Sequence, residues 1–254
     1  MNDQPTPFDD AELYDRIFAE LDYGLDFYLA EAAGAGGPVL DLACGTGRIL
    51  LPLLRAGVDA DGADGFAPML ERARLKCAAE GYSPTLAHVE MPELRMPRRY
   101  ALIVIPFNSF VHNLTADDQV ATLRACREHL LPGSKLVFDI FFPGPEYLSQ
   151  PQDVPALEGE TLDPETGRTL QMFDLRTLDL VEQRQHSANE VRELAPGGEV
   201  LASHRFETTI RWATKTEMEL LLRLAGFARW EIARGFDRAP LSGAAEPLLV
   251  SAWA

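Results

Sequence analysis

Apolar residues fall into two regimes along this chain of 254 residues. Through residue 150, short continuous apolar runs alternate with stretches of helical spacing. Residues 9–19 set Leu13, Ile17 and Phe18 on one helical face behind an acidic start, and 25–33 predict a second helix stopped by Gly34 and its small neighbours. Runs at 39–42, 58–63, 85–89, 101–105 and 136–140 predict strands, and 48–56, 68–80 and 116–130 predict the helices between them. Continuous apolar strands without polar alternates must be covered on both faces, which is the signature of a parallel sheet between helical layers.

Beyond residue 150 the pattern changes. Residues 167–187 and 198–212 read as two long strand-like stretches, with turns at 163–167 and 195–199 rich in Pro and Gly. A helix over 216–225, a strand running into Ala233 and a last strand over 248–253 follow. The expected architecture is α/β: a Rossmann-like, mostly parallel seven-stranded sheet with helices on both faces, plus an antiparallel β insertion.

Charge and cysteine usage narrow the function classes. The net charge of −16, from 23 basic and 39 acidic residues, argues against a nucleic-acid partner, whose phosphates would be repelled. Arg95, Arg98 and Arg99 around Pro97 read as a solvated loop. Cys44, Cys77 and Cys126 are far apart and form no C-x-x-C pair, and the five histidines have no ligand spacing, so no metal site is expected. The polar N-terminus lacks a signal-peptide pattern, and the apolar runs are too short to span a bilayer. The expectation is a cytoplasmic protein with no membrane partner.

The first strand runs into a glycine turn, Val39-Leu-Asp-Leu-Ala-Cys-Gly-Thr-Gly47. A dinucleotide fingerprint needs a third glycine beneath the pyrophosphate, and here Leu50 or Arg48 takes that place, depending on register. Small residues at Ala43, Gly45 and Gly47 let backbone groups approach a ligand closely. Asp41 supplies a charge suited to an ammonium. An acidic residue at the end of the second strand, Asp64, stands where a ribose diol is held, and its two oxygens can accept from both hydroxyls. Asp61 is expected at the surface or behind the site.

The string from Asp41 to Gly47 resembles motif I of class I S-adenosylmethionine-dependent methyltransferases. Phe66-Ala-Pro-Met-Leu70, Pro106-Phe-Asn-Ser-Phe110, Leu131-Pro-Gly133 and the 221–227 segment ending in Gly226-Phe227 extend the likeness to bacterial small-molecule members, a group that includes sugar N-methyltransferases. It departs at Tyr100-Ala101, where Phe-Asp is usual, and at Ser134, where a second Gly is usual. The resemblance implies S-adenosylmethionine as cofactor, with Asp41, Ala43, Gly45 and Gly47 at its methionine end and Asp64 at the ribose. It places Glu90 and Met91 at the adenine with Phe66 as a second wall, and Pro106 beside the cofactor. It further implies one domain over 1–254: an N-terminal helical lid (1–36), a core (37–149 and 213–254) and the insertion (150–212).

Ligands in open α/β sheets bind outside the carboxyl ends of the strands, so the segment after the fourth strand should border the acceptor. Phe107, Asn108 and Phe110 are the expected substrate contacts there, joined by Arg211 at the end of the insertion. The resemblance implies His112 and Tyr14 as catalytic-side residues; each also fits an ordinary structural role. The expected reaction is methyl transfer to a small-molecule acceptor, nitrogen ahead of oxygen. A protein that binds the cofactor without turnover, and a nicotinamide-dependent oxidoreductase, stand as alternatives. Two uses of the insertion remain open, an acceptor pocket or a homodimer interface.

Overall fold

Each uninterrupted apolar run of the first 140 residues becomes a parallel strand. The computed structural model describes residues 5–18, 21–241 and 247–254. Helix α1 (Ala11–Ile17) starts at Asp10, whose carboxylate accepts from the Leu13 N–H at 2.9 Å, satisfying one free donor of the first turn. The predicted end of this helix at Ala19 lies outside the described residues. Helix α2 (Leu25–Ala33) follows, then β1 (Val39–Leu42), α3 (Leu50–Arg55), β2 (Ala60–Asp64), α4 (Ala67–Ala79), β3 (Leu86–His88), β4 (Tyr100–Ile105), α5 (Ala116–His129) and β5 (Leu130–Ile140).

Strand β5 begins six residues earlier than the apolar run at 136–140 predicts. Its first part stays paired to β4 through a register shift between Tyr100 and Leu102, which carries the chain past Pro132-Gly133. A short helix α6 (Pro145–Leu148) leads into the insertion, β6 (Ala156–Leu162), β7 (Thr169–Asp179), β8 (Arg184–Leu194) and β9 (Val200–Arg211). The predicted single stretch over 167–187 is thus two strands. Its turn has no Gly or Pro to betray it. The Asp179 carboxylate instead accepts from the Val181 and Glu182 N–H groups at 2.9 and 3.0 Å, and Gln183 takes φ 56°.

Helix α7 (Lys215–Leu224), β10 (Arg229–Arg234) and β11 (Leu248–Trp253) return to the main sheet. Its order is β10-β11-β5-β4-β1-β2-β3, with β11 antiparallel to both neighbours, and β6 to β9 form a separate four-stranded antiparallel sheet. Strands β1, β2, β4 and the carboxyl half of β5 are buried along their length, covered on both faces as a central parallel sheet requires, and Asp41, Asp61, Asp64 and Asp139 are buried with them. One apolar cluster packs α5 and α7 on one face, and a second packs α2 and α3 on the other. A third joins Leu13 and Ile17 of α1 to Leu170 and Val191 of the insertion. Helix α1 therefore bridges the small sheet and the large one.

Asp61 is not at the surface: it is buried, and its carboxylate takes the Arg98 guanidinium at 2.7 Å, the Tyr100 hydroxyl at 3.0 Å and the Thr85 N–H at 3.1 Å. Arg98, expected in a solvated loop, also forks onto Asp59 at 2.6 and 2.7 Å. No helix of the described residues is long and apolar enough to cross a membrane.

Candidate active site

Strand β1 is flanked by β2 on one side and β4 on the other, and the connections leaving β1 and β4 run in opposite directions. This divergence opens a crevice beyond the carboxyl ends of the strands. A cavity of about 950 Å³ occupies it, at the upper end of ordinary ligand clefts. The motif I turn forms its floor. Ala43 and Gly45 both take left-handed backbone, φ 59° and 54°, a conformation that costs a non-glycine residue roughly 1–2 kcal/mol. A Cβ added at Gly45 would meet nothing within 4 Å, so the glycine is required by its backbone angle and leaves the floor open.

Asp64 holds this turn. Its carboxylate accepts from the Gly45 N–H and the Phe66 N–H, both at 2.8 Å, and burial pushes its pKa upward. A carboxylate has about four acceptor sites, so two remain for a diol. Gly65 lies so close to Glu90 that an added Cβ would sit 2.8 Å from both carboxylate oxygens, so the bare backbone at 65 leaves Glu90 its place in the cavity lining. Met91 and Phe66 line the same end.

Beneath the turn, Asp41 is fully buried, and its oxygens have no side-chain partner, only the backbone N–H of Leu50 close by. Burial raises its pKa to about 7, opposed by the charge of Arg48. A buried carboxylate with so little compensation is expensive to keep. One placed under a small-residue turn fits a ligand carrying an ammonium, and with the diol acceptor at Asp64 it suits a nucleoside joined to an amino acid.

The N-terminal segment lines the other side. Tyr14 and Phe18 of the N-terminal segment face the cavity, their rings 4.7 Å apart, and Phe8 lies 4.8 Å from Phe66 and 5.2 Å from the His112 ring. Burial raises the Tyr14 phenol to about 12 and lowers His112 to about 4, so both are neutral near pH 7. Adjacent residues of α1 tie it to the turn, to α4 and to the insertion. The Asp15 carboxylate takes the Thr46 hydroxyl at 2.6 Å, Arg72 at 2.8 Å and Lys76 at 3.1 Å, while Arg16 pairs with Asp163 and Glu193 of the insertion at 2.9 Å.

Phe107 and Asn108 follow β4 in successive left-handed conformations, φ 58° and 57°. Asp139 at the end of β5 enforces them, accepting from their N–H groups at 3.0 and 2.9 Å and from the Tyr28 hydroxyl. Phe107 is thereby turned into the cavity wall, against the rings of Phe18 and Tyr23.

Of the residues expected from sequence, Ala43, Gly45, Asp64, Phe66, Glu90, Met91, Phe107, Tyr14 and His112 come together around this one cavity. Others do not line it. Asp41 lies beneath the floor, and Gly47 faces Ala73 of α4, 3.7 Å from the position of an added Cβ. Pro106 is buried, with its carbonyl accepting from the Ser109 hydroxyl at 2.7 Å. Phe110 is a core residue stacked on Phe138 at 4.8 Å, and the Asn108 amide oxygen is buried without a partner. Arg211 is the clearest correction. Its guanidinium is taken by Gln119 at 2.8 Å and Glu217 at 2.6 Å, which ties β9 to α5 and α7 away from the cleft.

Sequence reasoning missed Phe8 and Phe18 as cavity walls, and Asp139. It also missed the inward residues of the insertion, Met172, Val191, Phe206 and Ile210, which line the same cavity. Alternation along β8 and β9 carried that signal, but the core-facing side could not be known without the lid that packs on it.

Fold and site together define a Rossmann-like protein that binds a nucleoside bearing an amino acid rather than a dinucleotide; Leu50, in the place of the third glycine, is fully buried in the core. The family described as a methyltransferase domain matches residues 39–133. A cypemycin N-terminal methyltransferase from a Streptomyces species is 25% identical over 218 residues, covering 85% of this chain and 82% of the relative. A dTDP-3-amino-3,4,6-trideoxy-alpha-D-glucopyranose N,N-dimethyltransferase from Streptomyces venezuelae is 30% identical over 141 residues, 52% of this chain and 56% of the relative. The solved structure of the CcbJ methyltransferase from Streptomyces caelestis superimposes with a TM-score of 0.80 at 25% identity, covering 98% of each chain. Residues 39–133 are a methyltransferase domain, and the chain is an S-adenosylmethionine-dependent methyltransferase with S-adenosylmethionine as its cofactor.

Proposed function

We propose that this enzyme methylates a nitrogen of a small-molecule acceptor held between the motif I turn and the insertion. The cofactor supplies a methyl group on a positively charged sulfur, with a neutral thioether as leaving group. In this reading Asp64 accepts from the ribose diol, Glu90 accepts from the adenine amino group, Met91 and Phe66 pack the adenine ring, and Asp41 faces the ammonium. Tyr14, Phe18 and Phe107 exclude water and align the acceptor with the methyl, the part of the barrier a protein can lower in a displacement of this kind.

The single observation that carries nitrogen over oxygen is His112. With a pKa near 4 it is a feeble base, poorly matched to removing a hydroxyl proton near neutrality. A neutral amine needs no such base: its own electron pair forms the new C–N bond as the C–S bond breaks, and the resulting ammonium loses its proton to solvent. His112 then acts as a neutral hydrogen-bond partner orienting the amine. The apolar residues Met172, Val191 and Phe206 suit the insertion as the wall against which the acceptor's body rests, and the relative named as an N,N-dimethyltransferase of an amino sugar supports this choice.

The test is an acceptor screen pairing amines with their hydroxyl analogues, read by methyl gain in mass spectrometry, with Asp64→Ala as control. Turnover of amines with loss of activity in the control is the expected outcome. Turnover confined to hydroxyls would remove the nitrogen reading while leaving the methyltransferase intact.

A further inference from the structure

Most side-chain donors around the cavity are already engaged within the protein. Asn189 gives its amide N–H groups to the Ser187 carbonyl at 3.3 Å and the Thr208 hydroxyl at 3.1 Å. Ser109 gives its hydroxyl proton to the Pro106 carbonyl at 2.7 Å, and Thr6 its own to Asp9 at 2.9 Å. The His112 ring turns its N–H to the Thr209 carbonyl, and a neutral ring then has a lone pair on its other nitrogen. What these residues still offer a ligand is lone pairs.

Charge leans the same way. Asp64 and Glu90 are given to the cofactor above, and Asp9, Asp10, Glu93, Asp118 and Glu158 also line the cavity. All but Asp118 are solvent-exposed, which puts them at its mouth. Glu158 pairs with Arg176, but that cation is shared with Asp174. Every Lys and Arg of the chain is among the described residues, and of these Arg205 alone lines the cavity. Its guanidinium is drawn to Glu190, on the face of the sheet opposite Asn189 and Val191.

A phosphate brings lone pairs and negative charge, and here it would meet more of both. A protonated amine brings donors and positive charge. A cleft lined by one sign of charge also concentrates ligands of the other. The Streptomyces venezuelae relative is named for an amino sugar carried on dTDP; among the described residues of this chain, no Lys or Arg is turned towards such a diphosphate.

We propose that the acceptor enters as a cation, a donor-rich amine free of phosphate, met by the carboxylates at the mouth and led to the His112 lone pair. The inference rests on the nitrogen reading above and narrows it by charge. Transfer itself takes the neutral amine. The rings of Tyr14, Phe18 and Phe107 disfavour an ammonium beside the cofactor, so its proton passes to water before the C–N bond forms.

Calorimetric titration of the protein saturated with S-adenosylhomocysteine tests this with two probes, spermidine and thymidine diphosphate. Spermidine is expected to bind, and to weaken about fivefold between about 50 and 300 mM salt as the mouth charges are screened. Thymidine diphosphate is expected not to bind. Glu93→Gln combined with Asp118→Asn should weaken spermidine about threefold, and the salt series on wild type serves where that variant does not fold. Absence of spermidine binding, indifference of that binding to salt, or a diphosphate bound as tightly would overturn the inference. So would methylation of a dTDP-linked amino sugar at nitrogen, which leaves the nitrogen reading standing. Methylation confined to hydroxyls would instead remove the reading on which the inference rests.

Discussion

The Thr46 hydroxyl, in the middle of the glycine turn under the cleft, donates to the Asp15 carboxylate of α1 at 2.6 Å. The floor and the roof of the cleft are thus joined by one hydrogen bond, and Arg72 and Lys76 of α4 hold the same carboxylate from the side. These pairs, together with desolvation that opposes them only partly, keep the Asp15 pKa below its usual value.

Breaking this latch should speed cofactor exchange. A hydrogen bond to a charged group contributes about 1.5–3 kcal/mol, and Asp15 is only partly buried, so the lower end applies. Asp15→Ala is expected to raise the dissociation rate of S-adenosylhomocysteine about tenfold in stopped-flow displacement, and wild-type release should accelerate with salt. Equal rates in variant and wild type at all salt concentrations would show that the lid opens without breaking the latch.

Cofactor affinity should depend on pH through Asp41. Its folded pKa of about 7 lies above the ordinary carboxylate value, so the ligand-free fold favours the protonated form. The stability this group contributes is complete below pH 3.8 and is lost as pH rises through about 7. An ammonium requires the ionised form, so binding releases a proton below that pH. Apparent affinity for S-adenosylhomocysteine is expected to fall up to tenfold per unit as pH drops from 7 to 6, and to level off towards 8. Asp41→Asn should bind more weakly, show no such slope, and unfold at a higher temperature than ligand-free wild type at pH 8.

Asp139 should matter to stability and to the acceptor wall together. Asp139→Ala leaves the Phe107 and Asn108 N–H groups and the Tyr28 hydroxyl without their acceptor. Each orphaned donor costs roughly 1–3 kcal/mol, so a loss of about 3 kcal/mol or more is expected in denaturant unfolding. Hydrogen exchange at residues 107 and 108 should quicken while β1 amides remain protected. Unchanged exchange there would mean that the left-handed pair is held by packing alone.

His112 sets an acid limit. Its folded pKa of about 4 lies below the unfolded value of 6.5, so the unfolded chain binds more protons between the two. The contribution of this neutral ring is whole above 6.5 and is lost as pH falls towards 4. The thermal midpoint of wild type should therefore drop over that window more steeply than that of His112→Gln, and the two curves should run parallel above pH 7. Parallel curves throughout would show that the ring is solvated and not buried neutral.

Most of the main sheet was legible because its information is local. An apolar run of five residues has no stable place except a covered strand, and a glycine turn after it dictates a close backbone approach whatever surrounds it. Asp64, Phe66, Glu90 and Met91 could be placed the same way, since each sits at a strand end whose position in the sheet follows from order along the chain. The lining of the cleft around the glycine turn was thus legible in sequence alone. The rest of its wall was not. Phe107 faces the cavity, and Phe110 does not, because Asp139, some thirty residues away, captures two consecutive N–H groups, an event that no property of 106–110 announces. Arg211 ends a strand beside the cleft, yet Gln119 and Glu217 draw its charge away, and only the packing of β9 against α5 and α7 brings those acceptors within reach. The split of 167–187 into two strands hid for a related reason: a side chain, Asp179, makes the turn that Gly or Pro would have signalled. Short-range geometry is written in residue order. Which of two adjacent side chains meets a ligand depends on partners that only the folded chain assembles.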